Sequence, residues 1–205
     1  MKYILLPIHP EWCCMLMNGD KKTEVRRGTA LYNAIDKLIK EQGKAPCLIY
    51  CTKGEDILLM VEDYDYGSMT YYAPKPVLIE KPARKPSEDE VDVYGYYSNK
   101  RFTDTDHEWK LNGKVIAKFE ASAEEIKFDY RADFYGYRTG TLNEVNLGER
   151  SCLHHKELDD YLREEKGTAI HVKPGTMKTD GFPKNLSDYG IKRAPQSFMY
   201  VEVAE

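Results

Sequence analysis

No apolar run in this 205-residue sequence approaches the roughly 18 residues needed to span a bilayer. The nearest one at the start, Tyr3 to Ile8, is strand-length and broken by Pro7. No secretory leader is expected either, since it would need a basic start, a longer apolar stretch and a small-residue cleavage site. No membrane partner is expected, and the cytoplasm is the expected compartment. Cysteine is too scarce and too awkwardly placed for a secreted disulfide framework: the count of five is odd, and Cys13 and Cys14 are adjacent. Zinc spacing is lacking too. Cys13-Cys14, Cys47-x-x-x-Cys51 and Cys152 with His154-His155 contain neither Cys-x-x-Cys nor His-x-x-x-His, so no metal is expected. Gly-rich phosphate loops, nucleotide fingerprints and a Ser-His-Asp set do not occur, and no cofactor is expected. A net charge of -4 exerts no global pull toward nucleic acid, so such a partner would need a local basic patch.

What is present describes a folded domain. Hydrophobic residues at 41% and charged residues at 31% exclude a disordered tail, and the length suits one domain carrying an insertion. Tyrosine is plentiful, 16 against 6 Phe and 2 Trp, with many between Tyr64 and Tyr137. These rings suit either a half-wet surface, body buried and hydroxyl in water, or a platform on which bases stack.

Along the chain, Lys2 to His9 reads as a strand. Pro10 at a first helical position, Glu11 in the first turn, and Trp12, Met15 and Leu16 at helical spacing predict a short helix stopped at Asn18-Gly19. From Lys21 to Arg27, Thr23, Val25 and Arg27 alternate with Glu24 and Arg26, as in a strand with one charged face. Leu31, Ala34, Ile35, Leu38 and Ile39 form one helical stripe closed by Gly43. Pro46 to Thr52 is a dense strand, and Ile57 to Val61 its expected hairpin partner. Residues from about 62 to 106 are rich in Tyr, Pro and charge, and read as an insertion whose one compact apolar run is Val77-Leu78-Ile79. Asn112-Gly113 signals a hairpin. Val115 to Phe119 continues as a strand through Ile126 and Phe128, and Asp129 to Arg150 reads as loop. A helix over Leu153 to Glu165, a strand at Ala169 to Val172 and a closing strand at Ser197 to Val203 complete the chain. The expected fold is α+β, mostly β: a small antiparallel barrel of about six strands with two or three peripheral helices, as one domain over 1–205.

These residues resemble the ASCH family of the PUA-like superfamily. In the opening ILLPIHPEWCCMLMNGDKKTEVRRG, Gly19, Lys21, Glu24 and Arg26 match the family's Gly-x-Lys-x-x-Glu-x-Arg after a first helix. LIYCTKG, GKVIAKFE, SCLHHKELDDYL and YGIKRAPQSFMYVEV resemble, in order, segments of phage-related and Gram-positive bacterial ASCH-like proteins. The resemblance implies a PUA-like barrel and a role in RNA-associated processes. A few small relatives are amidohydrolases acting on acetylated cytidine nucleosides through a lysine, a threonine and a glutamate.

The candidate ligand-binding residues are Lys21, Lys22, Glu24, Arg26, Lys53, His9, Gln196 and Ser197. Arg26 and Lys21 would contact phosphate or base, and Glu24 would read an exocyclic amine or hold Arg26. Lys22 and Lys53 would add positive charge, His9 stands at the strand-to-helix corner, and Gln196 and Ser197 would line the same mouth. The expected partner is RNA or a nucleotide-like small molecule, held in a basic cleft beside the first helix. Two other readings stand beside this one. In one, Lys21 is catalytic in an amidohydrolase, although Glu24 occupies the position of that pattern's threonine and Thr23 faces the other side of the strand. In the other, the chain is a phage-associated protein-interaction domain that works through its insertion.

Overall fold

Strand β1 (Lys2–Ile8) is apolar on both faces, as a central strand must be. Ile4, Leu6 and Ile8 enter the main core, while Leu5 joins Leu48, Tyr50, Val115 and Val201 on the opposite face. In this computed structural model, which describes residues 1–62, 64–65, 68, 70–71, 73–81, 108–131 and 134–203, β1 pairs in parallel with β3 (Ala45–Cys51). A parallel pair needs a crossover. It consists of α1 (Pro10–Asn18), β2 (Thr23–Arg27) and α2 (Ala30–Gln42). Both helices stop at a glycine in the left-handed region, Gly19 at φ 82° and Gly43 at φ 76°, where a side chain would be strained. The α2 stripe buries Leu31, Ala34, Ile35 and Leu38; Ile39, at its margin, is exposed.

The long strand β9 (Val115–Arg131) is the spine of the main sheet. Its first half pairs with β3 and, on its other edge, bridges to Lys178 and Lys184. Its middle pairs with β11 (Gly167–Val172), which carries β2, and its end pairs with β10 (Phe134–Arg138). With β12 (Met199–Glu202) antiparallel to β1, the order is β12-β1-β3-β9-β11-β2, and the sheet curls into a half-barrel. The curl returns the end strand to the start: Arg26 Nη2 of β2 donates to the Pro7 carbonyl of β1 at 2.5 Å.

β4 (Ile57–Val61) is not the hairpin partner of β3. It lies between β7 (Lys75–Ile79) and β8 (Glu108–Lys110) in a separate three-stranded sheet. The cause is Asn112, whose Oδ1 accepts from Leu58 N and whose Nδ2 donates to Asp56 O, both at 2.8 Å. Gly113 N meanwhile donates to Cys51 O. The Asn-Gly pair is thus a corner joining two sheets. β7 is the Val77-Leu78-Ile79 run of the expected insertion, and β5 (Tyr64–Asp65) pairs with β6 (Thr70–Tyr71) just before it. Residues 82–106 of that insertion, with 63, 66, 67, 69 and 72, lie outside the described residues.

Four α-helices are described, where two or three are expected. The extra one is α3 (Glu144–Ser151), capped by the Asn143 side chain accepting from Asn146 N at 2.9 Å. It falls, with β10, in the stretch that reads as loop. With α4 (His155–Leu162) it closes a second core of Val25, Ile126, Tyr137, Leu147 and Leu158. The Tyr137 hydroxyl donates to Asp159 and accepts from Glu164 N, and burial pushes its pKa up to about 12. Among the described residues, no helix is long and apolar enough to cross a membrane.

Candidate functional site

The site begins where α1 stops. Gly19 turns the chain, Lys21 N donates to Met15 O at 3.1 Å, and the Lys21 side chain folds inward until the residue is 2% exposed. Three neighbours replace the water its ammonium loses. Nζ donates to the Ser151 carbonyl at 2.5 Å, lies 3.5 Å from Glu24 Oε2, and stands 4.3 Å above the centre of the Trp12 ring. Burial pushes the Lys21 pKa down, and the negative charge of Glu24 opposes that shift.

Period-two alternation in β2 then sorts its side chains. Glu24 and Arg26 share a face, with Arg26 Nε 2.9 Å from Glu24 Oε1. That contact is an ion pair without hydrogen-bond alignment, so the buried Nε–H makes no hydrogen bond to any described residue. Thr23 points to the other face. Its hydroxyl lies 3.0 Å from His171 Nδ1 and accepts from Arg150 Nε at 3.4 Å. The fully buried Thr23 therefore belongs to a separate network with His171 and Glu124. There, burial opposes ionisation of Glu124, but hydrogen bonds from Thr139 and Thr141 prevail and hold its pKa low.

Around Lys21, Glu24 and Arg26 opens a cavity of about 230 Å³, completed by His9, Trp12, Val25, Leu153 and Tyr161. His9 precedes α1 and leaves its imidazole exposed at the rim. Tyr161, on α4, is 40% exposed, and its ring lies 5.7 Å from the Arg27 guanidinium carbon. With two cations and one carboxylate, the wall carries a net single positive charge.

Four of the eight sequence-derived candidates therefore meet: His9, Lys21, Glu24 and Arg26. The other four do not line this cavity. Lys22 is exposed on the outer side of the turn, Lys53 lies along Gly113 at the corner between the sheets, and Gln196 and Ser197 are exposed before β12. Trp12 and Tyr161 fall in stretches whose sequence reads as helix, and each is only partly covered and walls the cavity. Nothing in the periodicity separates a ring that fills a core from one that lines a pocket.

The cysteines are free. Cys13, Cys47 and Cys51 are buried, and burial raises the thiol pKa of Cys13 and Cys47. Among the described residues, no three His, Cys, Asp or Glu side chains are grouped to hold a metal ion. No protein-family model matches the chain, and no curated protein matches it.

Proposed function

We propose that the chain is an ASCH-like module of the PUA-like type, and that the cavity beside α1 binds one nucleoside unit of a nucleotide or of an RNA strand. The observation that carries this reading is the convergence of His9, Lys21, Glu24 and Arg26 on a single cavity with aromatic walls. At about 230 Å³ it falls below the roughly 300–1,000 Å³ of drug-sized sites, leaving room for a base and not for a folded polymer. Trp12 and Tyr161 supply ring faces for stacking. The Glu24 carboxylate suits an exocyclic amine, and the half-buried Arg26 guanidinium on the same wall suits a ring or carbonyl acceptor. The test is titration with nucleosides, their 5′-monophosphates and short single-stranded RNA, read by Trp fluorescence. Saturable binding that weakens at least tenfold in Arg26→Ala is expected. A flat response across the panel, or equal affinity in that variant, overturns the reading.

Burial of Lys21 and the downward shift of its pKa favour a second reading, an amidohydrolase acting on acylated cytidine. Thr23, bonded to His171 on the opposite face, is unavailable to that chemistry, so Lys21 and Glu24 would have to act alone. Turnover of N4-acetylcytidine that disappears in Lys21→Met supports it. Absence of turnover at every pH between 6 and 10 excludes it.

A further inference from the structure

The positive charge at Lys21 and Arg26 is met by Glu24, whereas a second cavity holds lysines with no counter-charge. It measures about 300 Å³ and opens beside β1, β3 and β9, with Tyr3, Lys44, Lys118, Glu120, Thr176 and Lys178 among its walls. Lys118 and Lys178 face each other across an antiparallel bridge, each backbone N–H donating to the other's carbonyl, at 3.0 and 2.8 Å. Residues paired in this way project side chains to the same face, and like charges directly opposite destabilise the pair. Lys44, in the turn that leads into β3, adds a third ammonium. Lys44 and Lys118 are half-buried, and none of the three lysines forms an ion pair or a side-chain hydrogen bond with any described residue. The one carboxylate in the wall, Glu120, is already held by Lys173 at 3.0 Å.

We propose that this cavity is a phosphate-binding site, taking the phosphate groups of a nucleic-acid backbone or of a free polyphosphate. Three ammonium groups around one concave surface supply rotatable donors and point charges, the chemistry by which lysine holds phosphate. An anion in their midst converts the repulsion between Lys118 and Lys178 into shared attraction. No residue lines both cavities, so this site stands or falls independently of the nucleoside pocket.

The experiment uses the full chain with two probes, tripolyphosphate by calorimetry and a short fluorescent oligouridylate by anisotropy. Three phosphate contacts predict a log–log salt slope of about -2 for the single strand, a weakening of about twentyfold between 50 and 200 mM salt. Lys178→Glu, at an exposed position, and Lys118→Gln are expected to weaken whichever probe binds by at least tenfold, while Lys22→Ala, an exposed lysine that lines neither cavity, leaves tripolyphosphate binding unchanged. Circular dichroism confirms that the variants fold. Tripolyphosphate that binds and displaces the oligonucleotide marks a free polyphosphate as the source. Oligonucleotide binding with the predicted slope and little competition marks the backbone. Binding of neither probe, or wild-type affinity in both lysine variants, overturns the proposal.

Discussion

Glu24 neutralises two cations, while Lys21 and Arg26 each face one carboxylate. That asymmetry orders the consequences of mutation. Its side chain is 9% exposed, so Glu24→Leu leaves the buried Lys21 and the half-buried Arg26 without an anion, a situation that costs about 3–5 kcal/mol where the charges are fully buried. Lys21→Met removes one charge but leaves Glu24 paired with Arg26, and is expected to cost clearly less. The double variant should lose less than the sum of the two, because Glu24→Leu has already removed the partner of Lys21. Urea midpoints of the three variants decide the matter; equal losses for the two single changes would contradict this arrangement. His171 offers a pH-dependent test. Burial pushes its pKa down, and Nε2, 3.9 Å from Glu124, has no hydrogen-bond partner among the described residues. The unfolded chain takes up that proton near the ordinary histidine pKa of about 6.5, the folded chain only at lower pH. Its contribution to stability is therefore complete above about pH 6.5 and declines as pH falls below that value. His171→Gln should flatten the slope of stability against pH between 5 and 7, read from urea midpoints. An unchanged slope would show that this imidazole protonates alike in the folded and unfolded chains.

Among the elements, the corner at Asn112 is the sharpest case of one side chain directing topology. Its side chain satisfies the buried Leu58 N–H and donates to Asp56 O, while the neighbouring Gly113 N–H holds Cys51 O at the end of β3. Asn112→Ala orphans that N–H, and a loss of about 1–3 kcal/mol is expected, measured by chemical denaturation. Asn112→Asp restores the acceptor and should recover part of it. The same corner explains what could be read ahead of the structure. Helices α1 and α2 and strands β1, β2, β3, β11 and β12 were legible, because Pro10, Gly19 and Gly43 punctuate them and their apolar periods are clean. The pairing of β4 was not. Two apolar runs across a short turn read as a hairpin, and only the distant Asn112 side chain shows that they part. Gly148 inside α3 and the aromatic run in β10 obscured two elements whose apolar residues find their partners in α4 and β9. Of the site, the ions of β2 were legible from their spacing. The aromatic walls were not, and neither was the meeting of Lys118 with Lys178, which depends on a bridge between residues far apart in the chain.

For the whole molecule, the decisive feature is the seam of the half-barrel. The cavity beside α1, the proposed nucleoside pocket, lies on it, with His9 following β1, Lys21, Glu24 and Arg26 at or on β2, and Arg26 reaching across to Pro7 O. A ligand seated there touches both sides and stabilises the closed arrangement, whereas one bound at Lys118 leaves the seam untouched. At a hundred times its dissociation constant, a ligand specific for the folded state adds about 2.7 kcal/mol to unfolding. In a chain of this size that is a rise in melting temperature of about 5–10 °C, at some 2–4 °C per kcal/mol. Hydrogen exchange locates the effect. A nucleotide in the pocket should slow exchange in β2 and at the start of α1 and leave the β4–β7 sheet unchanged, since none of its residues lines the cavity. Arg26→Ala should abolish that protection together with the thermal shift. If protection instead appeared around Lys118 and Lys178, the nucleotide would be held by its phosphates alone, and the pocket at the seam would have to be assigned to a different ligand.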